Sequence, residues 1–327
     1  MHPEVFAALA VLDRRLGTLL PPEYQQIWDT VEPVSMGSAG LKYDADGRVA
    51  WDAIWKTFCD LAMAGGPPHR GTLLVPGSPA AIDADPVRYD AAVAEICRGV
   101  RMVTGLEVAA SPHRGWVRVQ CADATMAGWL LRAVVMENVS ARADGSTLDV
   151  PAGPGFRVEK EIKNVVTTMA KSCHYWVGHT PPDQQLAVGR LFAELAAQSP
   201  LIVPATGAGA GAGADADANA DADADGDASG DASGDDCAAR ARAIADGIHR
   251  ETGLTVAEYT GHAWLAVECP GVRTAVWMMR ALVASNVLAR REDTRLCVPV
   301  PAADEEGAEV VSRLARVRRL ALARGLT

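Results

Sequence analysis

Laid beneath one another without a gap, the stretches TGLEVAASPHRGWVRVQCADATMAGWLLRAVVMENVSAR, from Thr104, and TGLTVAEYTGHAWLAVECPGVRTAVWMMRALVASNVLAR, from Thr252, agree at seventeen of 39 positions. The identical pairs include Trp116/Trp264, Cys121/Cys269, Trp129/Trp277, Arg132/Arg280, Asn138/Asn286 and Arg142/Arg290. A weaker match runs on through LDVPAG and LCVPVP. Any fold for this chain must therefore accommodate one kind of unit twice, at a constant offset of 148 residues.

Each copy reads in the same way. A helix ends at the Thr-Gly pair, a short strand follows near Leu106 to Ala109, and GWVRVQC alternates apolar and polar residues with the period of a strand. Asp123 is placed to cap a helix from about Ala124 to Asn138, apolar nearly all round and hence buried. A polar turn, RADGS, leads to the strand TLDVP, and another helix begins beyond AGPGF. The predicted class is mixed α/β: a tandem duplication of a helix-strand-strand-helix-strand-helix unit packed about a pseudo-twofold, with an N-terminal α+β extension. The expected boundaries are 1–87 for the extension, 88–203 for the first unit, 204–236 for a linker and 237–327 for a second, degenerate unit.

The linker contains a run of Ala, Gly and Asp that cannot bury enough apolar surface to offset chain entropy, so it is expected to be disordered. It also holds nine aspartates between Asp215 and Asp236, nearly all of the formal net charge of -10. The remainder is close to neutral, which argues against a nucleic-acid partner, since that would require a concentrated cationic face. The aspartates lack the bidentate Glu and ligand spacing of a calcium loop. No apolar run approaches the ~20 residues of a membrane span, so no membrane partner is expected. The opening MHPEVFAALAVLDRRLG has no cleavage site after a compact apolar region, and the seven cysteines form no CxxC pair. Both features lead to the expectation of a cytoplasmic protein with reduced thiols.

In the extension, a first helix is predicted from Pro3 to Leu19. A hairpin, GLKYDADGRVAW, turns at Asp44 to Gly47, and a following helix sets Trp51, Trp55, Phe58 and Ala62 on one core face. SMGSAG lacks the Lys-Ser/Thr of a phosphate loop.

The chemistry-bearing residues concentrate in one helix, predicted from about Arg157 to Val177. Val158, Ile162, Val165, Val166, Met169, Cys173 and Trp176 share its apolar stripe. Cys173 thus reads as a buried small hydrophobe rather than a nucleophile. Lys160, Lys163, Thr167, Lys171 and His174 share the opposite face, which reads first as solvated. Against that, Lys160 and Lys163 occupy helical turns where the macrodipole disfavours cations, and the second copy has none of these residues at its offset positions. A second candidate is PHRG, found at Pro68 and again at Pro112; in GGPPHRG a rigid loop would present His69 beside Arg70. Zinc would need Cys173, His174 and His179 together with His69, but adjacent helical residues diverge and His179 is expected beyond the helix end, so no metal ligand set is assigned. No GxSxG nucleophile elbow is present.

Two functional readings follow. In the first, the chain is a small-molecule enzyme or cofactor-handling protein acting on an anionic ligand in its first half. Lys160, Lys163, Arg70 and Lys171 would bind the anion, with His174 or His69 transferring a proton; no particular cofactor is indicated. In the second, it is a non-catalytic binding or assembly module built on the duplicated unit.

Overall fold

The computed structural model describes residues 3–22, 40–54, 72–205, 230–257 and 263–327. The expected helical face at Trp55, Phe58 and Ala62, nearly all of SMGSAG, the GGPPHRG loop with His69 and Arg70, and residues 206–229 of the linker lie outside them. The described residues form a mixed helix-and-sheet structure with two small antiparallel sheets.

Helix α1 spans Pro3–Leu19 and buries Leu9, Leu12, Leu16 and Leu19, the three- and four-residue spacing of a single helical stripe. The hairpin turns as expected, with Tyr43 bridging Val49. It is tied to the rest through Trp51, whose Nε1 donates to Glu95 at 2.8 Å. Helices α2 (Pro79–Ala84) and α3 (Pro86–Thr104) follow, α3 capped by the Asp85 carboxylate and ended by Gly105 at a φ of 72°.

Strands β1 (Val108–Ala110), β2 (Trp116–Gln120), β3 (Arg142–Asp144) and β4 (Thr147–Pro151) form the first sheet in the order β1-β2-β4-β3. Between β2 and β3 runs α4 (Ala124–Met136), its first turn closed by Asp123 accepting from the Met126 amide at 2.7 Å. Asn138 then takes a left-handed φ of 62°, a conformation Asn tolerates better than most residues. Helix α5 (Lys163–His174) is flanked by π-helical turns at Val158–Ile162 and Tyr175–His179, and α6 covers Pro182–Gln198.

The second half contains α7 (Gly230–Thr252), β5 (Trp264–Glu268), α8 (Val272–Val283), β6 (Arg290–Glu292), β7 (Arg295–Pro299) and α9 (Asp304–Ala323), with sheet order β5-β7-β6. Helix α7 starts at Gly230, so residues 230–236 are helical where a disordered linker was expected.

The two sheets pair in the same register. Trp116 faces Pro151 and Trp264 faces Pro299; Val108 faces Val119 and Val256 bridges Val267. Left-handed residues recur in step at Gly105 and Gly253, Gly115 and Ala263, Asn138 and Asn286, and Gly145 and Asp293. Sequence inspection missed a further correspondence, offset by 128 rather than 148 residues: LLVPG at 73–77 and LIVPA at 201–205. Leu74 bridges Val139 in parallel and Ile202 bridges Val287 in the same way.

One hydrophobic core runs through both halves. At their seam, Arg132 Nη2 donates to Asn286 Oδ1 at 2.8 Å, and Arg290 Nη1 donates to Asn138 Oδ1 at 3.1 Å. Trp116 and Trp264 are each buried with an arginine over the ring, Arg142 at 4.6 Å and Arg290 at 5.2 Å. Trp116→Ala and Trp264→Ala are therefore each expected to cost about 3 to 5 kcal/mol, the range for emptying an aromatic core site. Urea unfolding measures this, and parent-like stability in either variant would contradict the burial.

Candidate functional site

Helix α5 is the element around which charge collects. Its sequence, KNVVTTMAKSCH, reads as amphipathic, yet every residue from Lys163 to Cys173 is buried. The expectation of a solvated cationic face is thus corrected: Lys163 and Lys171 are 4% and 3% exposed, and Thr167 is 4% exposed. Packing decides this, because α5 is held between α3 and α4 instead of lying on the outside. Lys160, one turn earlier, is exposed and lies 3.7 Å from Glu161. The predicted cationic stripe is therefore divided between solvent and interior, and Lys160 is not brought to Lys171.

Lys171 Nζ donates to Glu137 Oε1, just beyond the end of α4, at 2.7 Å, with side chains only 4% and 16% exposed. Such a pair costs desolvation energy on both partners and is retained only with good geometry. Burial pushes the Glu137 carboxyl above its ordinary value; Lys171, Arg291 and Arg280 pull the other way but do not cancel it. Burial likewise lowers the Lys163 ammonium.

The ion pair forms part of the wall of a cavity of about 130 Å³ on the seam between the halves. Leu16, Leu19 and Leu20 from the α1 end, Trp129 and Met136 around α4, and Met279 from α8 supply apolar lining. Lys171, Arg132, Arg280 and Arg291 contribute cationic groups, with Glu137 the only carboxylate among the described lining residues. Arg132 and Arg280 are one of the repeated pairs, and a single cavity receives both. Arg132 also donates to Gly128 O at 2.8 Å and lies 4.1 Å over the Phe192 ring; burial brings its guanidinium down to about 10. Two buried polar atoms of the lining residues have no hydrogen-bond partner among the described residues, Arg132 Nε and Glu137 Oε2.

His174 lies outside this lining. The expectation that His179 falls past the helix end is also corrected: the π-helical turn carries the helix on to His179 and brings its Nε2 to 3.0 Å from that of His174. Cys173 is buried on the core side, as the apolar stripe implies, and burial pushes its thiol well above the ordinary value. The second PHRG is an exposed turn with Arg114 paired to Asp83 at 2.7 Å. Glu137, Arg280 and Arg291 are not among the expected ligand-binding residues; only Arg280 carries a signal in the sequence, as a cation in a buried helix matched by Arg132 at the 148-residue offset. No family model, curated protein or solved structure matches this chain.

Lys171→Met alone strands the Glu137 carboxylate and is expected to destabilise by about 3 to 5 kcal/mol, whereas Lys171→Met/Glu137→Gln recovers most of that loss. Chemical denaturation of the two variants separates these outcomes. A second expectation follows from proton linkage. Because the folded Glu137 binds its proton more tightly than the unfolded chain does, its contribution is fully present below the ordinary carboxylate range and declines as pH rises through the raised folded value. The parent should therefore lose stability relative to the double variant as pH rises, read from denaturation midpoints across a pH series.

Proposed function

We propose that this protein binds a small organic anion with an apolar body in the seam cavity, and that it is a small-molecule enzyme or cofactor-handling protein. The observation that carries the reading is the combination, in one cavity lining, of apolar side chains, four cationic side chains and a buried Lys171–Glu137 pair. Apolar pockets with a few converging polar groups are the usual form of small-molecule sites. Arginine and lysine in the lining favour a carboxylate or phosphate through charge-assisted hydrogen bonds. The volume, about 130 Å³, is close to that of an engineered cavity of roughly 150 Å³ that takes benzene. It suits an apolar body of about one ring, with the charged group toward Arg280 and Arg291. The anion site expected at Lys160, Lys163 and Arg70 is accordingly moved, in this proposal, to Lys171 and its neighbours.

We also propose that the two halves are copies of one unit related by a pseudo-twofold. The shared register of the sheets and the left-handed residues in step support it. Under this reading the cavity is an asymmetric feature laid on a symmetric frame. The position 148 residues beyond Glu137 is Ser285, so the second unit cannot repeat the ion pair.

The test is a thermal-shift and calorimetric screen of benzoate, phenyl phosphate and hexanoate, with inorganic phosphate and sulfate as anions lacking an apolar body. At least one amphipathic anion is expected to raise the unfolding midpoint, and Arg280→Gln/Arg291→Gln to weaken its binding by about tenfold or more, since charge-assisted contacts are worth roughly 1.5 to 3 kcal/mol each. Stabilisation by the inorganic ions alone, or by none, would overturn the proposal.

A further inference from the structure

The segment KSCHYWVGH contains a second arrangement, separate from the cavity, whose lining includes neither histidine. In a continuous α-helix the residue stacked over His174 would be Gly178, four positions on. The π-helical turn Tyr175–His179 takes an extra residue per turn, so that His179 arrives there instead. The two Nε2 atoms stand 3.0 Å apart, with ring centroids at 4.7 Å and ring planes at 65°.

Two imidazole nitrogens on one first-row ion, each about 2.0 to 2.1 Å from it and subtending a right to tetrahedral angle, lie about 2.9 to 3.4 Å apart. Rings aimed at that ion from nitrogens 3.0 Å apart would have centroids about 4.7 Å apart. A collinear N–H···N bond of the same length would hold them about 5.3 Å apart. The two Nε2 atoms are within hydrogen-bond distance of each other, and the observed centroid spacing is also that of two rings sharing one ion.

The surroundings permit an ion to reach it. Val177 is 71% exposed, Gly178 is exposed, and both imidazoles are partly exposed. A side chain at position 178 would begin 3.7 Å from the Nδ1–Cε1 edge of the His174 ring, and glycine adds no such bulk beside it.

We propose that His174 and His179 chelate one divalent first-row transition ion through their Nε2 atoms, with water in the remaining positions. Imidazole ligands suit Cu²⁺, Ni²⁺ and Zn²⁺. No group of three or more His, Cys, Asp or Glu side chains able to hold a metal gathers among the described residues. A two-imidazole site keeps open coordination positions, as reactive sites do and closed structural zinc sites do not.

Untagged full-length protein would be titrated with Ni²⁺ by calorimetry and with Cu²⁺ by electron paramagnetic resonance. The expected result is one ion per chain, a copper signal with coupling to two imidazole nitrogens, and a higher unfolding midpoint with Ni²⁺. His179→Gln is expected to weaken Ni²⁺ binding by about tenfold or more, and His174→Gln to do the same, while His113→Gln on an exposed loop leaves it unchanged. His179 closes the terminal turn, so His179→Gln is the variant that keeps the test decisive if His174→Gln fails to fold. Absence of stoichiometric binding in the parent, binding unchanged in His179→Gln, or a copper signal with fewer than two imidazole nitrogens would each overturn the proposal.

Discussion

The halves of this protein are joined by two asparagines in a conformation few residues adopt. Asn138 and Asn286 have φ values of 62° and 61°, and each sits where the chain leaves a buried helix for a short strand. The left-handed turn aims each side chain across the seam, where Asn286 accepts from Arg132 and Asn138 accepts from Arg290. Asn138 also donates to the Arg291 carbonyl, and Asn286 to the Ser199 carbonyl, both from one half to a segment that closes the other side of the seam. Buried polar groups in this number stabilise one arrangement because any other would leave them without partners. An alanine at either position would lose both the hydrogen bonds and the tolerance for positive φ.

That seam also explains the position of the charged cavity. Arg132 cannot extend into solvent, being committed to Gly128 and Asn286, and Arg280 approaches the same space from the other half. Like charges gathered in an apolar wall are unfavourable unless a carboxylate or a ligand offsets them. Glu137 supplies one such charge, and Lys171 engages it. Elsewhere the same problem is met differently: Asp149, 2% exposed, accepts from Arg118, Arg142 and Ser111. Burial pushes its carboxyl up, but those hydrogen bonds hold it below the ordinary value, opposite to the outcome at Glu137. Three donors and one donor account for the difference.

The π-helical turns bracket α5 and act on its two ends. At the first, the Glu161 carboxylate accepts from the Arg157 amide at 2.9 Å, taking up a donor that the helix start leaves over. At the second, the extra residue shifts His179 by one position around the axis and sets it against His174. Nothing in KSCHYWVGH signals this, because helical periodicity counts 3.6 residues per turn and places His179 elsewhere.

Some of this molecule was legible in the sequence. Helix α1, the Asp123 cap, the alternating strand from Trp116 and the all-round burial of α4 follow from local rules of periodicity and capping, which act within a few residues and therefore survive any tertiary arrangement. The burial of Cys173 follows from the same stripe. The repeated Arg132, Asn138, Asn286 and Arg290 could be recognised as polar residues kept beside apolar helices, but their partners are about 150 residues away in the chain, and sequence spacing carries no information about such contacts. The same limit misplaced the cations of α5: an amphipathic pattern fixes which residues share a face, whereas only packing decides whether that face meets water. Lys163 and Lys171 lie inside because α3 and α4 enclose the helix, and Lys171 has its carboxylate because α4 ends beside it. The local chain determined the elements; the docking of one half on the other determined which of their charges are buried, and thus where a ligand could be held.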